Sequence, residues 1–300
     1  MGASLREASV RAEELFRLAD QVTGLPISTL CSNGPKEDLT QTAVAQTAIV
    51  VTSLAAAALL EETLGTPPHA IAVAGHSVGE LAALCWAGAI DVETTIRLVS
   101  ERGRLMGRDS DAADGTMAAV LGLEELLLDQ VCRQASTSTA RVQVANVNAP
   151  GQIVISGNRG AVEHASKLAL AAGAKRVLPL TVGGPFHSSY MEAASRDFGS
   201  LVRGVPFRSP RVPVILNTSA IPTQDPSLLA GELIDQIVSS VRWEPTIRTL
   251  ASLGCTTFVE LGPGQVLTGL VRRTLPDAQA FAAGAPDTID RVADLWRERA

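Results

Sequence analysis

The 300 residues include few groups able to hold a metal or join a disulfide framework: four cysteines and four histidines. Cys31, Cys85, Cys132 and Cys255 are scattered without metal-ligand spacing. That pattern excludes a zinc ribbon and reads as reduced, mostly buried thiols in a cytoplasmic protein. Basic runs are missing too, and the net charge is −6, so nucleic acid is excluded as a natural partner. No apolar stretch approaches the roughly 20 residues that a membrane span needs. Thr47 to Leu60 is apolar but short, and it carries Thr52 and Ser53. The opening MGASLREASVRAEELF has the pattern of an amphipathic helix, not of a signal peptide. A dinucleotide fingerprint is incomplete as well. GPGQVLTGL, from 262 on, matches only part of it and has no acidic partner at the right distance, so it reads as a strand-to-helix turn. Arginine far outnumbers lysine, and no function follows from that.

What is present is 46% hydrophobic residues, enough for one large core or two domains. Strand and helix patterns alternate, which predicts an α/β protein. Helices are expected over 4–23, 40–62, 79–88 and 91–107, with a strand at 70–74. GRDSDAADG, 107–115, reads as a polar loop. The texture then changes to strand 117–122, helix 124–133, strands 142–148 and 152–156, helix 159–172 and strand 175–180. That β-α-β-β-α-β order is the ferredoxin-like arrangement. It predicts a small subdomain, 116–182, inserted into a larger α/β domain formed by 1–115 and 183–300. The larger part resumes with strand 212–217, helices near 227–239 and 244–253, strand 256–261 and a last amphipathic helix near 287–298.

One motif carries chemistry. In IAVAGHSVGELAAL, Gly75-His76-Ser77-Val78-Gly79 fits G-x-S-x-G between an apolar strand and a helix. This is the spacing of a nucleophile elbow, in which flanking glycines allow close backbone approach. The serine oxygen would then face the N–H groups at the helix start, where an oxyanion develops. A tight βα turn with an incidental serine is the bland alternative. A serine nucleophile needs a base. His76 adjoins the serine and reads as structural. His69, after two prolines, and His164, on a polar helix, read as surface residues. His187 lies in VGGPFHSSYM, where the inserted subdomain returns to the large domain and a cleft is expected; a helix-capping loop histidine is its alternative. More than a hundred residues follow His187, which is not the Ser–Asp/Glu–His order of an ordinary esterase.

GHSVGE (75–80), RGRLM (102–106), ANVNAPGQIVISG (145–157), GPFHSS (184–189), QIVSSVRW (236–243) and ELGPGQVLTGL (260–270) together resemble the malonyl-CoA:acyl carrier protein transacylases and the related acyltransferase domains of polyketide synthases. The resemblance spans nearly the whole chain. It implies an α/β-hydrolase-like large domain with a parallel sheet and a ferredoxin-like insertion. It implies transfer of malonyl from malonyl-CoA to the phosphopantetheine thiol of an acyl carrier protein, in fatty acid or polyketide synthesis, by a cytoplasmic and monomeric enzyme with no bound cofactor or metal. Ser77 would be the nucleophile and His187 the base. Arg102 would grip the malonyl carboxylate with its planar fork. Gln46 would lie near the acyl pocket, the Gln236 backbone carbonyl would orient the histidine, and Val78 would donate an oxyanion N–H. Phe186, before the histidine, and Val78, after the serine, would favour malonyl over methylmalonyl. Arg272 and Arg273 are candidates for docking the acidic carrier, against a solvated helix face.

Relatives of this kind open with a short strand and a GQGSQ loop that helps build the oxyanion hole. This sequence starts at MGASLRE, which aligns just after that loop. One strand of the sheet and one side of the hole are therefore expected to be absent. Either the start has been placed too far downstream, in which case a version extended upstream transfers malonyl faster, or the protein is short and weak. An editing hydrolase that clears carrier proteins, using Ser77 and His187, and a non-catalytic docking homologue are the competing readings.

Overall fold

A computed structural model describes residues 1–298. Four helices open the chain: α1 (Ala3–Ala8), α2 (Val10–Thr23), α3 (Ile27–Asn33) and α4 (Lys36–Leu39). The single helix expected over 4–23 is broken at Ser9. That residue is extended, and its hydroxyl accepts the Ala12 N–H to cap α2. Then follow α5 (Thr42–Leu64), α6 (Gly79–Trp86) and α7 (Val92–Ala112). The middle of the chain is β1 (Gly115–Leu121), α8 (Glu125–Ala135), β2 (Val142–Ala149), β3 (Gln152–Asn158), α9 (Arg159–Ala171) and β4 (Arg176–Pro179). The remainder is α10 (Glu192–Val202), β5 (Val214–Ile215), β6 (Pro222–Thr223), α11 (Pro226–Asp235), α12 (Trp243–Ser252), β7 (Thr257–Leu261), α13 (Val266–Thr274), β8 (Gln279–Ala283) and α14 (Pro286–Arg297).

The apolar stretch at 47–60 is longer than its composition suggested. α5 runs for 23 residues with mean hydropathy 2.0, long and apolar enough to cross a membrane by those measures alone. The helix runs on through its hydroxyl residues, of which Thr47 bonds back to the Ala43 carbonyl at 3.0 Å. Protein covers it instead: 78% of the apolar window is buried, against α2, α7 and α14 among others. The polar loop expected at 107–115 is also corrected, since α7 continues to Ala112. Asp109 explains why. Its carboxylate is buried and accepts the Ala194 N–H at 2.6 Å, which satisfies a free donor at the start of α10.

Strands β1 to β4 form one antiparallel sheet in the order β2-β3-β1-β4. Helices α8 and α9 bury Leu128, Val131, Val162 and Ala165 in one core with Val120, Val144 and Ile155 of this sheet. Elsewhere pairing is partly parallel, so the fold is α/β with both pairings. β7 pairs in parallel with β8, from Thr257↔Gln279 to Leu261↔Ala283. The strands expected at 70–74 and 212–217 shrink to a parallel bridge, Val73↔Val214, and the two residues of β5. Among the described residues these two parallel pieces are not joined into the single sheet expected. A cavity of about 970 Å³ lies between them, bounded by Ala72 and Ala74 on one side and Phe258 and Val259 on the other.

Candidate active site

Ser77 sits where the segment after Val73 turns into α6. Gly75 is required there: a β-carbon on it would lie 2.0 Å from the backbone of Gly79. Gly79 is not required for close approach, contrary to expectation, since a β-carbon on it would meet nothing within 4 Å. Ser77 itself has φ 51°, in the left-handed region that L side chains avoid. Asn217 holds this bend in place. Its Oδ1 accepts the Ser77 N–H at 2.7 Å, and its Nδ2 donates to the Gly75 carbonyl at 2.8 Å. The Val78 N–H, next along, donates to no protein acceptor among the described residues, so it is available to an oxyanion.

His187 reaches the serine from the loop after β4, 110 residues on. It too is left-handed, at φ 56°, and it is buried. Its Nε2 lies 2.7 Å from Ser77 Oγ. Its Nδ1 lies 2.8 Å from the Gln236 backbone carbonyl, which can only accept. The proton is therefore on Nδ1, and Nε2 is left free to take one from the serine. Burial first, and the charge of Arg102 second, push the imidazole down to about 3.

Arg102, on α7, is the only arginine buried among the described residues. Nη1 donates to Gln46 Oε1 at 2.5 Å; Nη2 donates to Gln236 Oε1 at 2.7 Å and to Ser77 Oγ at 3.1 Å. Burial lowers its pKa to about 10, opposed by the charge of Glu80, so it stays cationic at neutral pH. Gln46 also reaches Met106 Sδ at 3.6 Å. Phe186, half-buried, packs toward the cores of both the small sheet and the larger body. Ser77, His187, Arg102, Gln46, Gln236 and Val78 thus converge, although the first and last of these touch the 970 Å³ cavity and Arg102 and Gln46 do not.

The other histidines fall as expected. His76 is turned into the protein, its Nε2 2.9 Å from Asn148 Oδ1 and its ring edge-on to Trp243 at 5.3 Å; His69 and His164 are exposed. The turn after β7 is held by Glu260, whose carboxylate accepts the Leu267 and Thr268 N–H groups at the start of α13. Arg272 is drawn onto the Ala280 carbonyl, while Arg273 is exposed beside Lys175 and Arg176. Two supports were not foreseen. Asn217 ends an apolar strand, a visible place for a functional polar group, but its partners lie about 140 residues away. Glu80 belongs to the motif, yet nothing in the sequence says that it is buried under the serine.

A serine on a bent turn, a tautomer-fixed histidine and a buried arginine within reach of the same oxygen define an acyl-transferring site, and the chain belongs to the acyl transferase domain family, whose sequence pattern matches residues 1–292. Within that family it is 39% identical to the malonyl CoA-acyl carrier protein transacylase of Bacillus subtilis (strain 168), over 99% of this chain and 93% of that protein. Its fold is similar to the malonyl CoA-acyl carrier protein transacylase of Coxiella burnetii, with a TM-score of 0.93, 32% identity, and 98% and 92% of the two chains covered. It is similar also to a malonyl-transacylase solved in complex with its type II PKS acyl-carrier protein, with a TM-score of 0.92, 33% identity, and 98% and 94% covered.

Proposed function

We propose that this chain moves a malonyl group from malonyl-CoA to the phosphopantetheine thiol of an acyl carrier protein. The observation that carries the reading is the meeting of a nucleophile, its base and a buried cation at one oxygen, Ser77 Oγ. His187 takes the hydroxyl proton as Oγ attacks the thioester carbonyl. The Oγ–C bond forms, the carbonyl becomes an oxyanion beside the Val78 N–H, and the C–S bond then breaks. Coenzyme A leaves with the proton from His187. The carrier thiol reverses these steps: its proton passes to His187, its sulfur bonds to the acyl carbon, the Ser77 ester bond breaks, and Ser77 Oγ takes the proton back from His187. Gln236 fixes the imidazole through its carbonyl without adding a charge. Arg102 pairs with the free carboxylate of the acyl group, and Gln46 steadies its outer nitrogen. Phe186 and Val78 crowd an α-methyl branch, a preference worth about 1–3 kcal/mol.

We read 116–182 as a ferredoxin-like unit inserted between 1–115 and 183–300; its sheet order and its separate core support this. The exposed Arg273, near Lys175 and Arg176, offers positive charge to an acidic carrier. The test is mass spectrometry of the protein after malonyl-CoA, then after holo-carrier protein. A malonyl adduct on Ser77, absent in Ser77→Ala and passed to the carrier, is expected. Free malonate with an unloaded carrier would mark a hydrolase, and no adduct would refute both.

A further inference from the structure

Glu80 lies three residues after Ser77, on the first turn of α6, and has no exposed surface. Each of its carboxylate oxygens accepts from a residue that holds part of the site. Oε1 accepts the Asn217 backbone N–H at 3.1 Å, and Asn217 braces the bend at Ser77. Oε2 accepts from Gln236 Nε2 in a short contact. The same nitrogen donates to the Ser77 carbonyl at 3.0 Å, and the oxygen of that amide accepts from Arg102.

A primary amide has one accepting end and one donating end. With its NH₂ held by Glu80, the Gln236 oxygen must face the guanidinium. Turned over, it would set NH₂ against Arg102, which has five donors and no acceptor. We propose that Glu80 is a positioning residue: it sets the polarity of the Gln236 amide and, through it, holds Arg102 aimed at the acyl carboxylate. This rests on reading Arg102 as the carboxylate partner. The other charged group near Glu80 is Glu232, whose oxygens are occupied by the N–H and hydroxyl of Thr218. Burial, then Glu232, raise the Glu80 carboxyl to about 8, against the pull of its donors and of Arg102. Since both oxygens already accept N–H groups, the observed arrangement fits the ionised form.

A glutamine at position 80 accepts at only one end. It leaves either the Asn217 N–H or the Gln236 NH₂ facing another donor. The measurement is the ratio of Ser77 loading rates, kcat/KM, with malonyl-CoA and with acetyl-CoA, a neutral acyl thioester. Glu80→Gln should lower that ratio by about tenfold to a hundredfold, the range set by a hydrogen bond to a charged group. A group that only supports the fold would lower both rates and leave the ratio alone. In an Arg102→Gln background the further effect of Glu80→Gln on the ratio should vanish, since the two act in series. An unchanged ratio in Glu80→Gln, or an undiminished effect in the Arg102→Gln background, overturns the inference while Arg102 keeps its role. An unchanged ratio in Arg102→Gln alone brings down that role and the inference together. If Glu80→Gln does not fold, Gln236→Leu cuts the same link while keeping the carbonyl for His187. Its ratio should fall likewise, and a wild-type ratio there overturns the inference.

Discussion

His187 is the residue on which pH acts most directly. Buried imidazole cannot recruit water to solvate a charge, and a guanidinium two bonds of contact away opposes a second cation. Its pKa lies near 3, far below the ordinary 6.5. The free base therefore persists at pH values where a solvent-exposed histidine would be protonated. The rate of Ser77 loading from acetyl-CoA, which carries no carboxylate for Arg102, followed by rapid quench and mass spectrometry, should hold its plateau from pH 8 down through 5.5. Arg102→Gln removes the second of the causes that lower it, after burial and ahead of His76, and should move the acid limb upward, toward 6.5. A wild-type limb centred near 6.5 would contradict the burial argument. Stability follows the same sign: in the unfolded chain His187 protonates first as pH falls, so its contribution is full above 6.5 and is lost on the way down to about 3.

Between elements, the site depends on how closely α5 and α7 approach, because one carries Gln46 and the other Arg102. Gly103 sets that distance. A β-carbon there would lie 2.7 Å from Ala43 Cα and 2.9 Å from the Thr42 carbonyl, both backbone atoms that cannot swing aside. Gly103→Ala should cost about 1–3 kcal/mol in a denaturant titration. It should also slow malonyl loading by parting Arg102 from Gln46; a wild-type midpoint would show that the helices can slide. This contact was invisible in the sequence, where Gly103 is one small residue inside RGRLM. The elbow was legible, because an apolar run, G-x-S-x-G and a helix follow one another locally. So were the helices α8 and α9 and the strands around them, whose apolar periods match one buried face. Strands 70–74 and 212–217 were overread. Apolar runs identify burial, but a strand also needs a ladder of backbone bonds, and here 70–74 meets 212–217 only at the Val73↔Val214 bridge. Asn217 and Glu80 stayed hidden for a related reason: each earns its role from partners brought close only by folding.

At the scale of the whole molecule, the site lies beside the antiparallel sheet of β1 to β4, whose edge reaches the loops that carry His187 and Gln236. Val241 continues the edge of the small sheet, its N–H donating to the Ala145 carbonyl and its carbonyl accepting from Val147 at 2.9 Å each. Arg242 and Glu125 add an ion pair to this contact at 2.9 Å. Gln143, on β2, completes it at the point that matters most. Its Nε2 donates to the carbonyls of His187 and Val238, both at 3.2 Å, and its Oε1 accepts the Ser189 N–H at 3.1 Å. One side chain of the small sheet thus holds the backbone just after the His187 ring, where His187 is kept in a left-handed conformation that strains most residues other than glycine. Gln143→Leu keeps the bulk and removes all three bonds. It should lower stability by about 1–3 kcal/mol. It should also slow Ser77 loading by roughly tenfold or more, the sensitivity expected when a reacting group drifts from its aligned position. The two losses separate the explanations. If the denaturant midpoint falls while the loading rate at saturating malonyl-CoA stays at the wild-type value, the contact only stabilises the protein. If the rate falls in the folded variant, the small sheet is part of what aligns the base.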